Sequence, residues 1–181
     1  MYNLVFPTNP LKYIPRSSSG RTTDSDSVYV GSNPARGSIM EIIMLECLII
    51  GDSIAVGVDM AAPRECVSYA QGGYNSWQWN RRWRGVPLEA DTVVISLGTN
   101  DHVYMNTERE LLRIRSRIRA NRVVWVMPPC NARFCNPGVN ATVSRISYQY
   151  GDRTIGTVRL QRDGIHPSWK GYKQLVKRAG L

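Results

Sequence analysis

From Met40 onward, short apolar runs alternate with segments whose apolar residues recur at helical spacing. That alternation restricts the chain to an α/β architecture: a mostly parallel sheet of buried strands, with the connecting helices covering both faces. Strands are expected at residues 45–50, 66–70, 91–97, 122–127 and 154–160. Helices are expected at 54–60, within 74–84, from Thr107 through Ile118, at 136–150, and from Trp169 to near Gly180. The third helix opens on an apparent capping box, Thr107-Glu108-Arg109-Glu110. Its Leu111, Ile114 and Ile118 share a face, and Arg115, Arg117 and Arg119 read as a solvated basic end favoured by the helix dipole.

Residues 1–39 are of another kind, rich in Ser, Thr, Gly, Pro and Arg with no sustained apolar period after Ile14, so a disordered N-terminal extension is expected there. Within it, residues 16–35 have an unusual property on back-translation. Gly31-Ser32-Asn33-Pro34 is encodable as GGU-UCG-AAU-CCC, resembling a transfer-RNA T-arm, and residues 23–28 and 17–21 fit an anticodon arm and a D-arm. The expectation is a tRNA gene read through in frame, with translation starting at Met40 or Met44. A basic flexible arm is the rival reading. A chain of 181 residues, 43% hydrophobic, suits one globular domain, placed at residues 40–181.

The formal charge of +9 and the sequence pI near 9.7 favour an anionic contact, without choosing among nucleic acid, anionic lipid and acidic polysaccharide. No apolar run reaches membrane-spanning length, and residues 40–50 lack the basic start of a signal peptide, so a soluble, cytoplasmic protein is expected. Trp77, Trp79 and Trp83 among Arg81, Arg82 and Arg84 fit either a base- or sugar-stacking surface or an amphipathic helix with buried indoles. Cys47 and Cys66 read as buried thiols within apolar runs. Cys130 and Cys135 bracket a Pro-rich loop, where a local disulfide or half a metal site is conceivable, but two reduced thiols are expected.

Three strands end in polar and glycine residues, Gly51-Asp52-Ser53, Gln71-Gly72-Gly73 and Gly98-Thr99-Asn100-Asp101; the fourth is closed by Pro128 and Pro129, and the loop Asp163-Gly164-Ile165-His166-Pro167 precedes the last helix. Parallel sheets bind ligands beyond the carboxyl ends of their strands, so these groups are expected to gather. Together they offer the four roles of acyl transfer: a nucleophile, Ser53; a base, His166; a group to orient it, Asp163; and oxyanion donors from the Ser53 and Gly73 amides and the Asn100 side chain. Singly, the triplet at residues 51–53 also reads as a turn and cap, and Asn100-Asp101 as a turn.

These blocks, in this order, resemble the SGNH, or GDSL-type, hydrolase family over residues 45–181. The resemblance implies a flavodoxin-like three-layer α/β/α sandwich and a serine ester hydrolase that needs no metal or other cofactor. Carried over, Ser53 is nucleophile and oxyanion donor, His166 the base, Asp163 its partner, and Gly73 and Asn100 complete the oxyanion hole, with Gly72 competing for the glycine role. The substrate expected is a small-molecule or glycan ester, with small acyl groups such as acetyl favoured by a short, open domain; nucleic acid is not expected as a partner. The alternative is an inactive module of the same fold that binds polysaccharide or an assembly partner. A tRNA gene beside a small esterase fits a compact viral genome, with the host cytoplasm or the virion as the location.

Overall fold

The structure is a computed structural model that describes residues 45–63, 66–156 and 158–181. The expected N-terminal extension and the proposed tRNA-like segment lie outside these residues. The elements run β1 (Leu45–Gly51), α1 (Ser53–Ala61), β2 (Val67–Ala70), α2 (Ser76–Arg82), β3 (Glu89–Ser96), α3 (Thr107–Arg115), β4 (Arg119–Val126), α4 (Pro137–Tyr150), β5 (Arg153–Ile155) and α5 (Trp169–Ala179). The strands form one parallel sheet in the order β2-β1-β3-β4-β5.

Strand alternation divides the core. Leu48, Ile50, Val93, Ile95, Val123 and Trp125 pack with side chains of α2, α3 and α4, among them Trp79, Leu111, Ile114, Val143 and Ile146. Ile49, Val94, Val124 and Val126 pack with Ile54, Ala55 and Val58 of α1 and Tyr172, Leu175 and Val176 of α5. The result is the three-layer sandwich expected. Because β1 connects first to β2 on one side and the chain then crosses to β3 on the other, the strand order reverses between β1 and β3, and a crevice opens beyond their carboxyl ends.

Several details differ from the sequence reading. Asn106, not Thr107, caps α3, its Oδ1 accepting the Arg109 amide at 2.9 Å; Glu110 is buried and accepts from Asn80 Nδ2 at 2.9 Å, which takes it away from any capping box. Arg115 is not a solvated charge: its guanidinium donates twice to Asp152, at 2.6 and 2.7 Å, and lies over the Tyr150 ring. Arg117 donates to the Trp83 and Val86 carbonyls. The last strand stops at Ile155, and Leu160 instead forms an antiparallel bridge with Pro167. The indoles divide between the two readings: Trp79 is 0% exposed and Trp77 is 47% exposed.

The cysteines also depart from expectation, since Cys47 is bonded to Cys66 and Cys130 to Cys135. The first pair follows from strand register. Leu48 lies opposite Val67, so the residues just before them are neighbours on adjoining strands despite 19 residues of separation. The second closes a tight loop after β4. Among the described residues, no helix is long and apolar enough to cross a membrane.

Candidate active site

Ser53 is the first residue of α1, directly beyond β1. At that position its amide has no acceptor within the helix and points out of the helix N-terminus. The turn is very tight: at Gly51 φ is +147°, and a Cβ there would lie 1.9 Å from the Ser96 carbonyl oxygen, so only glycine fits. The Asp52 amide donates to that same carbonyl at 2.9 Å. The end of β1 is thereby locked to the end of β3.

His166 comes from a different part of the chain. The Leu160–Pro167 bridge and the Gln161 amide, donating to the His166 carbonyl at 2.7 Å, close the preceding loop into a narrow hairpin. Asp163 organises it: Oδ1 accepts the amides of Ile165 and His166, at 2.9 and 3.0 Å, and Oδ2 accepts His166 Nδ1–H at 2.7 Å. Those donors, the Ile165 amide foremost, hold the Asp163 carboxyl down at about 2, so it is an acceptor only. With Nδ1 thus the donor, Nε2 is the acceptor for the Ser53 hydroxyl at 2.9 Å. An unbroken hydrogen-bonded chain runs from Ser53 through His166 to Asp163.

A second loop braces this hairpin. Asn131 Nδ2 donates to the Gly164 carbonyl at 2.7 Å, and Arg133 donates to the Arg162 carbonyl. Both residues lie inside the loop closed by the Cys130–Cys135 bond.

The candidate oxyanion donors lie in the turns after β2 and β3. Gly73 has φ +78° in the turn after β2, and Gly72 faces the Ser53 side chain, its Cβ direction 3.8 Å from Ser53 Cβ. Asn100 Nδ2 donates to the Tyr74 carbonyl at 3.0 Å, which occupies one N–H and leaves the other available. The structure therefore brings Ser53, His166 and Asp163 into one hydrogen-bonded chain, sets Gly72 against Ser53, and links Asn100 through the Tyr74 carbonyl to the turn that carries Gly73.

Asp52, the residue before Ser53, is fully buried. Its Oδ1 accepts from the Ile54 amide at 2.9 Å and the Ser96 hydroxyl at 3.2 Å. Oδ2 and the Thr99 hydroxyl lie outside hydrogen-bonding geometry, although Thr99 is near enough to favour the carboxylate. Burial dominates and pushes the Asp52 carboxyl up to about 6. Tyr172 beneath it is pushed up to about 12, first by burial and then by the charges of Asp52 and Asp163.

Asp101 had read as a turn residue. It is buried, and its carboxylate holds the start of α2 through Ser76. A polar residue next to a glycine-rich strand end carries no local signal of a partner 25 positions away. Asn131 is legible only through the same kind of long-range bond.

No family model and no curated protein matches this sequence. Among solved structures, the fold is similar to a lipase/acylhydrolase from Enterococcus faecalis, with a TM-score of 0.55 and 19% identity over 74% of this chain and 92% of that one. It is similar to a catalytic mutant of an acetylxylan esterase from Geobacillus stearothermophilus, with a TM-score of 0.52 and 18% identity over 76% and 92% of the two chains. It also resembles the C-terminal catalytic domain of a peptidoglycan O-acetyltransferase from Streptococcus pneumoniae, with a TM-score of 0.54 and 15% identity over 76% and 91%. The chain has the fold of SGNH, or GDSL-type, esterase and acylhydrolase structures, as its sequence blocks imply.

Proposed function

We propose that residues 40–181 form a serine ester hydrolase of the SGNH type, which removes a small acyl group such as acetyl from a carbohydrate or other carrier. The observation that carries this reading is the hydrogen-bonded chain Ser53–His166–Asp163 at the point where the strand order reverses. Ser53 Oγ attacks the ester carbonyl while His166 Nε2 takes its proton, and Asp163 holds the imidazole in the required tautomer. The tetrahedral oxyanion is bound by the Ser53 and Gly73 amides and the free N–H of Asn100. His166 then returns the proton to the departing alkoxide, and water repeats the cycle on the acyl-enzyme.

A short acyl group is supported by the brevity of the chain between β4 and Asp163, which leaves few residues for loops that would wall a deep acyl pocket. The similarity in fold to acylhydrolase, acetylxylan esterase and O-acetyltransferase structures agrees with acyl transfer in general.

The test is intact mass after treatment with a fluorophosphonate, on the wild type and on Ser53→Ala. A single adduct lost in the variant supports the reading, and a folded wild type that takes no adduct refutes it. Rates across acetyl, butyryl and octanoyl esters test the acyl size, with acetyl expected to be fastest.

A further inference from the structure

α2 and α3, with the residues that follow each, line an open groove of about 850 Å³. On one wall Trp77 and Arg81 share a face of α2, four residues apart, and Arg84 follows just past the helix end. The Arg81 guanidinium lies over the Trp77 ring, 5.6 Å from its centroid. Opposite stand Arg113 and Arg117, with the groove's carboxylate, Glu110, between the walls.

That carboxylate is already matched: Arg109 donates to Glu110 Oε1 at 3.0 Å, Asn80 Nδ2 to Oε2 at 2.9 Å, and Arg113 lies 3.5 Å away. Arg81 and Arg84 are exposed, and among the described residues neither is paired with a carboxylate. The groove thus holds uncompensated guanidinium charge beside an exposed indole face, a combination that binds planar anions bidentately and stacks a ring.

Position ties the groove to the crevice. Trp77 follows Ser76, which Asp101 holds, and Gly73 and Tyr74 at the oxyanion side come just before it in the same connection. The Trp77 end of the groove therefore adjoins the turn that carries Gly73, and Arg81 and Arg84 follow farther along the chain.

We infer that this groove binds the carrier of the ester, and that the carrier is an acidic polysaccharide whose carboxylates pair with Arg81 and Arg84 while a sugar ring stacks on Trp77. The inference rests on the hydrolase reading for the acyl group but not for the binding itself. A single-stranded nucleic acid fits less well, because such sites stack successive bases on several aromatic faces. Here Trp79 is buried, and Trp83 packs against Trp79 and Tyr74.

The test uses the full chain and the double variant Arg81→Gln/Arg84→Gln. Binding of deacylated polygalacturonate, neutral xylan and oligo(dT) is measured by calorimetry at one ionic strength, alongside hydrolysis of a small aryl acetate and of acetylated polygalacturonate. Polygalacturonate is expected to bind the wild type, xylan not, and the variant to lose about ten-fold in affinity and to raise KM on the acetylated polymer by about as much. Aryl acetate hydrolysis is expected to stay unchanged. Equal polygalacturonate affinity in both proteins overturns the proposal, as does tighter binding of oligo(dT) that the variant loses. A wild type inactive on aryl acetate refutes the hydrolase reading alone, because the deacylated polymer still reports on the groove.

Discussion

Asp101 accepts both the amide and the hydroxyl of Ser76, at 2.7 and 2.6 Å, and so ties the loop after β3 to the start of α2 in a buried setting. The two segments it joins carry Asn100 on one side and Gly73 and Tyr74 on the other. Asp101→Ala strands two buried donors and is expected to cost about 3 kcal/mol. It also loosens the spacing between the proposed oxyanion donors, so kcat on a small ester should fall further than the loss of folded protein explains. Thermal melts paired with kinetics check this, and Asp101→Asn should be intermediate.

Asp163→Asn separates orientation from folding. Oδ1 still accepts the Ile165 and His166 amides, so the hairpin persists, while the group facing Nδ1 becomes a donor. The imidazole is then pushed to the wrong tautomer. A loss of about 10³- to 10⁴-fold in kcat/KM is expected, far beyond what the modest fall in melting temperature from losing the carboxylate charge explains.

Opposite pKa shifts at the two aspartates give opposite pH dependences. Asp163 is lowered from 3.8 to about 2, so its contribution to stability is present above 3.8 and lost as pH falls toward 2. Asp52 is raised from 3.8 to about 6, so the native state binds more protons than the unfolded chain in that interval and stability falls as pH rises through it. Asp52→Asn keeps the Oδ1 acceptor and removes the titration. Relative to wild type it is expected to gain on the order of 3 kcal/mol between pH 4 and pH 7. Denaturant titrations at the two pH values measure the difference.

Gly51→Ala is expected to be severely destabilising, by more than about 3 kcal/mol, because a Cβ has no space against the Ser96 carbonyl and φ is +147°. Any folded fraction should show reduced fluorophosphonate labelling of Ser53, since the β1–β3 junction sets where α1 begins.

Asn131→Ala removes the bond to the Gly164 carbonyl and frees one side of the His166 hairpin. A drop of about ten-fold in kcat is expected, with KM nearly constant. Replacing Cys130 and Cys135 together by Ser should move kcat in the same direction by less, because Asn131 remains.

The layers, the strand order and the place of the crevice were legible because they follow from periodicity: buried strands such as residues 91–97 and helical stripes such as Leu111 and Ile114 repeat over many residues. The candidate chain Ser53, His166 and Asp163 was legible because each sits at a strand end or a pre-helical loop, where polar residues stand out against apolar runs. Single long-range pairings were not. The Cys47–Cys66 bond depends on strand register, the Arg115–Asp152 pair on how α3 meets the end of α4, and the Asn106 cap on a one-residue choice between neighbouring polar side chains.

The hairpin between Leu160 and Pro167 contains both His166 and Asp163, with every bond between them made inside four residues. His166 and Asp163 therefore belong to one local unit of the chain and Ser53 to another, and one hydrogen bond of 2.9 Å, between Ser53 Oγ and His166 Nε2, joins them directly. The hairpin runs on into α5, whose Tyr172 packs against Gly57 of α1, so the packing of these two helices sets the alignment that this one bond reports.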